Sequence, residues 1–276
     1  AFQNTGLTSV EIGAVKTMGN SVFLGCIALT SVEIEGSDSL ELQYSLFGNS
    51  DTNRAPLKTL KIGTAIINAN ILNAQKSTIE TVEFTHVTGS NYIFQNCTAL
   101  KSVVLGDGFT EIKSSMFSGC SALEMVEIPD TVTAIAANAF SGLSALKKVT
   151  LGKGVVSIGN YAFQNCTALE SITIPDSVES IGNSAFNGCS SLKTVSISKN
   201  SKLKTIGSSA FVNSEVAYFY IPSGVASIGK QAFFFNQDPQ IESVVYDLSD
   251  WNADALATTT FGQWCFSQWW SGTKYN

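Results

Sequence analysis

The sequence has few charged residues and no long apolar run. Charged side chains make up 14% of the 276 residues, and the formal net charge is −6, whereas about a quarter of an average sequence is charged. Lys and Arg are scattered singly, while nucleic-acid-binding proteins carry a basic patch or stripe. The absence of about 18 consecutive apolar residues argues against a transmembrane helix. We therefore expect neither a nucleic-acid partner nor membrane insertion.

Motifs of catalysis and of metal binding are also missing. The single histidine, His86, has no nucleophile elbow or H-E-x-x-H pattern around it, so we expect an exposed turn residue rather than a catalytic base. The sequence has no Cys-x-x-Cys pair, which metal sites commonly use, and no glycine fingerprint of a phosphate-binding loop. These absences predict a protein that is not an enzyme and has no cofactor and no metal.

The sequence does contain a strong internal repeat. Phenylalanine recurs at a spacing of 21 to 25 residues, which is 23 four times running from Phe94 to Phe186, and Leu72 fills the one gap in the series. The recurring residues are Phe2, Phe23, Phe47, Phe94, Phe117, Phe140, Phe163, Phe186, Phe211 and Phe233. A fixed period of this length predicts a solenoid, in which the rings stack into one dry column.

Each repeat contains one predicted strand. In Leu169-x-x-Ile172-x-Ile174 the two isoleucines lie two apart, so they share the inner face of a strand while Ser171 and Thr173 face outward. Ordering one such coil costs about 25–45 kcal/mol, whereas its apolar side chains contribute roughly 10–15 kcal/mol. Coils must therefore stack. We predict a β-rich, right-handed superhelix of about eleven coils over residues 1–246, with a parallel sheet on one face and short helical turns or strands on the other.

The turn that carries Ala-Phe has its own signal. In eight coils the position before the recurrent cysteine or its equivalent holds Gly or Asn, the residues that tolerate a positive φ, which predicts a helical turn ended by a left-handed residue. The cysteine position is shared with Leu143, Ser50 and Ser214, so we interpret it as a packing position holding buried free thiols. Disulfides between adjacent coils, Cys97 with Cys120 and Cys166 with Cys189, are the alternative.

The last 30 residues, 247–276, depart from the repeat and are rich in aromatic residues. They contain Trp251, Phe261, Trp264, Phe266, Trp269, Trp270 and Tyr275. A repeat array needs its open apolar end covered, so we predict that this tail is a C-terminal cap. The alternative is a platform of exposed aromatic side chains that binds carbohydrate.

The outward side of the predicted sheet is the best candidate binding surface. Its two rows of side chains change from acidic, through hydroxyls, to tyrosine along the chain. The candidate binding residues are Glu127, Thr150, Thr173, Ser196, Tyr218 and Tyr220. The tyrosine end is favoured because tyrosine is enriched at binding hot spots. The alternative is that Ser and Thr are simply suitable residues for an exposed strand.

These motifs closely resemble the BspA-type leucine-rich repeats, also called the Treponema pallidum type. The family pattern I-P-x-x-V-x-x-I-G-x-x-A-F-x-x-C-x-x-L is nearly intact from Ile174 to Leu192, and the resemblance extends over residues 1 to about 246. It implies a surface or secreted bacterial protein that adheres to host matrix or cell-surface proteins.

The chain begins within a repeat, at Ala1-Phe2, so we expect that upstream residues, such as a signal peptide, are missing from this fragment. An extracellular or cell-surface location is therefore the expectation, although no signal peptide or anchor is visible. A structural stalk that displays another domain is the alternative role.

Overall fold

A computed structural model of the chain describes residues 2–43, 45–48, 50, 52–67, 71–89, 93–216, 218–234, 243–246 and 260–261. This part of the chain forms a solenoid with two parallel sheets and contains no helix. The larger sheet has eleven strands, β1 (Ser9–Ile12), β2 (Ser31–Leu42), β3 (Thr59–Ile67), β4 (Thr81–Gly89), β5 (Ser102–Val104), β7 (Met125–Glu127), β9 (Lys148–Thr150), β11 (Ser171–Ile174), β13 (Thr194–Ile197), β15 (Tyr218–Ile221) and β17 (Ser243–Tyr246). The smaller sheet has seven, β6 (Glu111–Ile112), β8 (Ala134–Ile135), β10 (Ser157–Ile158), β12 (Ser180–Ile181), β14 (Thr205–Ile206), β16 (Ser227–Ile228) and β18 (Thr260–Phe261).

Strands of the larger sheet pair in sequence order and in the predicted register. Ser9 pairs with Ser31, and Thr194 pairs with Tyr218 near the other end of the sheet. Equivalent residues of successive coils therefore stand next to one another, and each outward row of the predicted face is continuous. The predicted parallel solenoid is confirmed. The smaller sheet continues past residue 246, because β18 pairs with β16.

The phenylalanine column is the centre of the core. Phe140, Phe163 and Phe186 are fully buried, with ring centroids 5.0 and 5.2 Å apart and nearly parallel planes. At the gap in the series, Leu72 is buried and a strand residue, Phe84, lies 5.8 Å from Phe94 at a tilt of 33°. The ring missing at position 72 is thus partly replaced by one from the adjacent strand, and the predicted dry column is confirmed for the described coils.

The predicted helical turns are wrong in detail, because the Ala-Phe segments at 139–140, 162–163, 185–186 and 210–211 are non-helical turns bounded by two left-handed residues. In one coil these residues are Tyr161 and Asn165, both with φ of 58°. Asn165 is the predicted position, but the left-handed residue at Tyr161 was not expected, and it prevents a regular helical turn from forming before Phe163. The backbone N–H of Phe163 instead donates to Ala185 O of the next coil at 2.8 Å. The turn therefore joins neighbouring coils as the sheets do.

The first coils differ from the later ones. Strands β2, β3 and β4 have 12, 9 and 9 residues, whereas the later strands of the larger sheet have three or four. The register between β2 and β3 shifts between Gly36 and Glu41. At Gly36, which has φ of 70°, an added Cβ would lie 2.0 Å from Thr64 O, so a side chain cannot be placed there. Because β4 extends to Gly89, His86 lies within this strand rather than in the expected turn, although it is exposed as expected.

A row of alternating charge runs along one edge of the larger sheet. The residues immediately before seven successive strands are Lys58, Glu80, Lys101, Glu124, Lys147, Glu170 and Lys193. Glu80 accepts from Lys101 Nζ at 2.7 Å, and Glu124 accepts from Lys147 Nζ at 2.9 Å. The hydrogen bond from Lys101 and its charge lower the pKa of the Glu80 carboxyl. Charges that look scattered in the sequence are therefore matched between coils.

The repeat cysteines occupy one packing position, as predicted. Cys26, Cys97, Cys120, Cys166 and Cys189 are buried and free of disulfides. The Sγ of Cys189 donates to Phe163 O at 3.1 Å, and the thiols of Cys26, Cys120 and Cys166 donate in the same way to a carbonyl of a neighbouring turn. Burial raises the pKa of the Cys189 thiol to about 12. Cys265 and the aromatic residues of the predicted cap, Phe261 side chain included, lie outside what the structure describes, so the cap stays a prediction.

Candidate functional site

The outward face of the larger sheet carries all six predicted binding residues. Glu127, Thr150, Thr173, Ser196 and Tyr218 are exposed, and Tyr220 is half-buried. Tyr218 is 50% exposed, which is unusual for so large a ring. The alternation of inward and outward residues along each short strand places these side chains on one surface.

Four of the six residues meet at one depression. Thr173, Ser196, Tyr218 and Tyr220 line an open groove of about 480 Å³ that crosses β11, β13 and β15. The remaining lining residues, which the sequence did not single out, are Ile174, Pro175, Asp176, Lys193, Thr194, Val195, Ile197 and Ser198. Glu127 and Thr150 lie on earlier strands of the same face and do not line the groove.

The groove arises from a step in side-chain size and from a loosened sheet. The hydroxyl residues Thr173 and Ser196 are small, whereas the next outward positions on β15 hold tyrosines, which form a wall. Strands β11 and β13 pair at four positions, but the described residues of β13 and β15 pair at Thr194 and Tyr218 alone. Strands β9 and β11 likewise pair at one position, Lys148 with Ser171, so reduced pairing is found on both sides of the β11–β13 pair.

Loosening of the sheet exposes apolar surface. Ile174 is buried, but Ile197, its partner in β13, is half-buried. Val195 and Ile197 both line the groove. The surface therefore combines aliphatic side chains, aromatic rings and hydroxyl groups.

Charged residues lie at the two ends of the groove. Lys193, just before β13, has its Nζ 3.8 Å from a carboxylate oxygen of Glu215. Asp176, just after β11, accepts a hydrogen bond of 2.6 Å from Ser198 Oγ. The four-residue strands between them span about 13 Å, so a cation and an anion flank the apolar centre.

The rest of the face is less suited to binding. Toward its N-terminal end Lys61 Nζ lies 3.3 Å from Glu33 and 3.7 Å from Glu83. Both glutamates stand in the same outward row as Glu127, and the hydrogen bond and charge of Glu33 raise the pKa of Lys61. One lysine thus offsets part of the acidic character of this end of the face. This arrangement favours the groove over the acidic end as the site.

The single histidine of the chain forms a pair with an aspartate at the surface. His86 Nδ1 lies 2.6 Å from Asp107 Oδ1, and both side chains are more than half exposed. The described residues contain no group of three His, Cys, Asp or Glu side chains placed to hold a metal ion. Within the same residues, no helix has the length and apolarity needed to cross a membrane.

Comparison with solved structures supports the fold. A leucine-rich repeat protein from Bacteroides ovatus has a TM-score of 0.53 and 19% identity, and the match covers 93% of this chain and 72% of that protein. A leucine-rich repeat protein from T. pallidum gives 20% identity, coverage of 75% and 76%, and a TM-score of 0.43. A leucine-rich cell surface protein from Faecalibacterium prausnitzii gives 22%, coverage of 94% and 84%, and 0.37. The first of these likenesses is close enough to support a shared fold.

Comparison with protein families is more decisive. No curated protein matches the sequence significantly. The family profile described as BspA type leucine-rich repeat region matches six copies, over residues 1–124 and 110–239. These ranges include every strand from β1 to β16 and the whole groove. The chain therefore belongs to the BspA-type leucine-rich repeat family.

Proposed function

We propose that the chain is a non-enzymatic adhesin that binds a protein partner through the groove over β11, β13 and β15. The observation that carries the proposal is the tyrosine wall, Tyr218 and Tyr220, beside a floor of small hydroxyl residues. Leucine-rich repeat proteins commonly bind other proteins on an extended surface. Tyrosine gives a large contact area with few rotatable bonds, and its hydroxyl remains available for a hydrogen bond.

The same family membership supports a location at the cell surface or outside the cell, and a host matrix or cell-surface protein as the partner. The groove is open, and its charged lining residues are one aspartate, Asp176, and one lysine, Lys193. A partner of this kind would contribute one or two apolar side chains to the groove and polar groups to its ends. Truncating a central aromatic residue of such an interface commonly costs about 2 kcal/mol or more, which is roughly thirtyfold in affinity.

The test is binding of purified protein to immobilised extracellular matrix proteins and to intact epithelial cells. Tyr218→Ala is expected to weaken binding about thirtyfold. The matched control is Tyr161→Ala, because Tyr161 is 41% exposed but lies in the Ala-Phe turn rather than on the sheet face. Equal effects of the two substitutions, or no effect of either on measurable binding, would remove the proposal.

A structural stalk is the second candidate, favoured by the continuous stacked column from Phe94 to Phe233. Each coil contributes one layer to this column, so the solenoid has the construction of a stiff rod. The stalk role predicts that Tyr218→Ala changes no adhesion at all, whereas shortening the solenoid by whole coils does. Carbohydrate binding by the tail aromatics stays a further prediction of the sequence, because those side chains lie outside the described residues.

A further inference from the structure

Departures from the repeat concentrate in one coil near the N-terminal end. There the column position is Leu72 and the cysteine position is Gln75. The next position is Ser or Thr in the five following coils but Lys76 here. The loop that precedes this coil holds Arg54, the single arginine of the chain. Positions that break a local rule are where functional sites are expected.

Arg54 is anchored on the turn of the next coil. Its Nη1 donates to Ala74 O, and its Nη2 donates to Ser77 Oγ at 3.3 Å. Gln75 in the same turn is completely buried, and its Nε2 donates to Phe47 O at 3.1 Å. These hydrogen bonds fix the guanidinium group against a folded turn, so its position is set before any ligand arrives.

A polar depression of about 340 Å³ lies beside this guanidinium group. Ser50, Arg54, Asn73, Ala74, Lys76, Ser77 and Thr98 line it. The lining residues that are described contribute two cations and three hydroxyl groups and no carboxylate. Ser77 Oγ accepts from Arg54, which leaves the hydroxyl proton of Ser77 to be donated to another group.

Lys76 differs from most lysines near it in the fold. Lys58, Lys61 and Lys101 each lie within 4 Å of a glutamate. The half-buried Lys76 has no such carboxylate among the described residues, and it lines the same depression as Arg54. Two cationic side chains thus lie at one depression of a chain whose net charge is −6. An anion placed there would gain attraction from both side chains.

We propose that this depression binds the oxyanion of a phosphate or sulfate group. Lys76 supplies charge, the anchored Arg54 supplies a planar set of N–H donors suited to such oxygens, and Ser77 and Thr98 supply hydroxyl donors. The site is separate from the groove of the proposed adhesin function. Strands β5, β7 and β9 lie between β4, which follows the Lys76 turn, and β11, the first strand of the groove, and four steps of about 4.8 Å amount to roughly 19 Å.

The test is calorimetric titration with inorganic phosphate and with sulfate, against chloride at equal ionic strength. We expect saturable binding of one oxyanion per chain, and Lys76→Thr should weaken it about tenfold or more, the effect of losing one charge-assisted hydrogen bond. Threonine is the residue of the next coil at this position, so the fold should tolerate it. Lys153→Thr, which removes the same charge from a different corner of the solenoid, is the control and should bind as the unaltered chain does.

Two further results decide the matter. Arg54→Lys retains the charge but not the planar donors, and it should also weaken binding. Heparin, a sulfated polysaccharide, distinguishes the source of the anion: it displaces phosphate if the site accepts a sulfate carried on a polymer, and it leaves phosphate bound if the site accepts a free ion alone. Absence of saturable binding, or equal losses in Lys76→Thr and Lys153→Thr, would overturn the proposal and leave Arg54 as a structural tie between two coils.

Discussion

Replacing one ring of the phenylalanine column should be the most damaging single truncation in the molecule. Phe163 is completely buried, and it stacks on Phe140 at 5.0 Å and on Phe186 at 5.2 Å. Truncating a buried phenylalanine to alanine costs about 3–5 kcal/mol. Because Phe163→Ala also removes two stacked pairs, each worth about 0.5–1.5 kcal/mol beyond area burial, we expect a loss near the upper end of that range.

The position in the column gives a graded set of controls. Phe2 is 38% exposed and stacks on one ring, Phe23, at 5.7 Å. Phe2→Ala should therefore cost less than half as much, about 1–2 kcal/mol. Leu72 shows that leucine is compatible with the column, so Phe163→Leu, which fills most of the space of the ring but loses both stacked pairs, should cost about 1–3 kcal/mol.

Equilibrium unfolding in urea, followed by circular dichroism, measures these differences. Coils of a solenoid contact their neighbours alone, so a cavity at Phe163 should also weaken the coupling between the coils on its two sides. We expect a lower midpoint together with a lower m-value or a second transition. A loss below about 1 kcal/mol with an unchanged m-value, or an equal loss from Phe2→Ala, would refute the stacked-column account of stability.

Three further predictions follow from the turns, the thiols and the charged row. Gly119 and Gly142 share a repeat position and have φ of 79° and 78°, but an added Cβ would lie 2.3 Å from the preceding coil's asparagine at Gly119 and within 4 Å of no other atom at Gly142. The melting temperature should therefore fall further for Gly119→Ala than for Gly142→Ala. Equal decreases in thermal denaturation would contradict a role for this contact. Burial holds the pKa of the Cys189 thiol at about 12, so this thiol loses its proton at a lower pH in the unfolded chain than in the folded one. The unfolding free energy should therefore fall as pH rises from about 9 toward 12. Cys189→Ala should lessen that fall in urea titrations at several pH values. Lys147→Glu should lower the melting temperature in low salt, because the new carboxylate would repel Glu124. Adding Glu124→Lys should not restore the melting temperature fully, because the coils on either side then present like charges to the exchanged pair. An effect that does not change with salt would exclude electrostatics as its cause.

Much of the fold could be predicted from the sequence, because the same pattern of apolar residues recurs in successive coils. A pair such as Ile172 and Ile174 fixes which side of a strand faces the core, and the 23-residue spacing fixes which residues stand side by side. Register within the sheet is therefore determined by the core, since a shift by one residue would expose both isoleucines. The outward rows, including Thr173 and Ser196, follow from the same rule without any knowledge of tertiary contacts.

Features that depend on the neighbouring coil could not be predicted in this way. The left-handed residue at position 161 is a tyrosine, and no residue preference points to it. Its conformation is required because Tyr161 N–H must reach Asn183 O of the next coil at 2.9 Å. The hydrogen bond from the Phe163 N–H to Ala185 O of the next coil has the same origin. The sequence of one coil predicts a helical turn here, because the carbonyl groups of the next coil, which accept hydrogen bonds from these N–H groups, are not part of that coil.

The groove illustrates the same limit at the candidate site. The sequence singled out Tyr218 and Tyr220 from residue type, and the structure places both beside Thr173 and Ser196. The sequence did not indicate that Asp176 would lie at one end of the groove, because that depends on how β13 and β15 are placed next to each other. A perfectly regular solenoid would present a flat sheet, on which the first outward row is Ser or Thr at most coils. Under the proposed function, binding specificity would come from coils that break the repeat. The tyrosine coil breaks it in side-chain size at both outward positions, which is why the proposal places the partner at that end of the face.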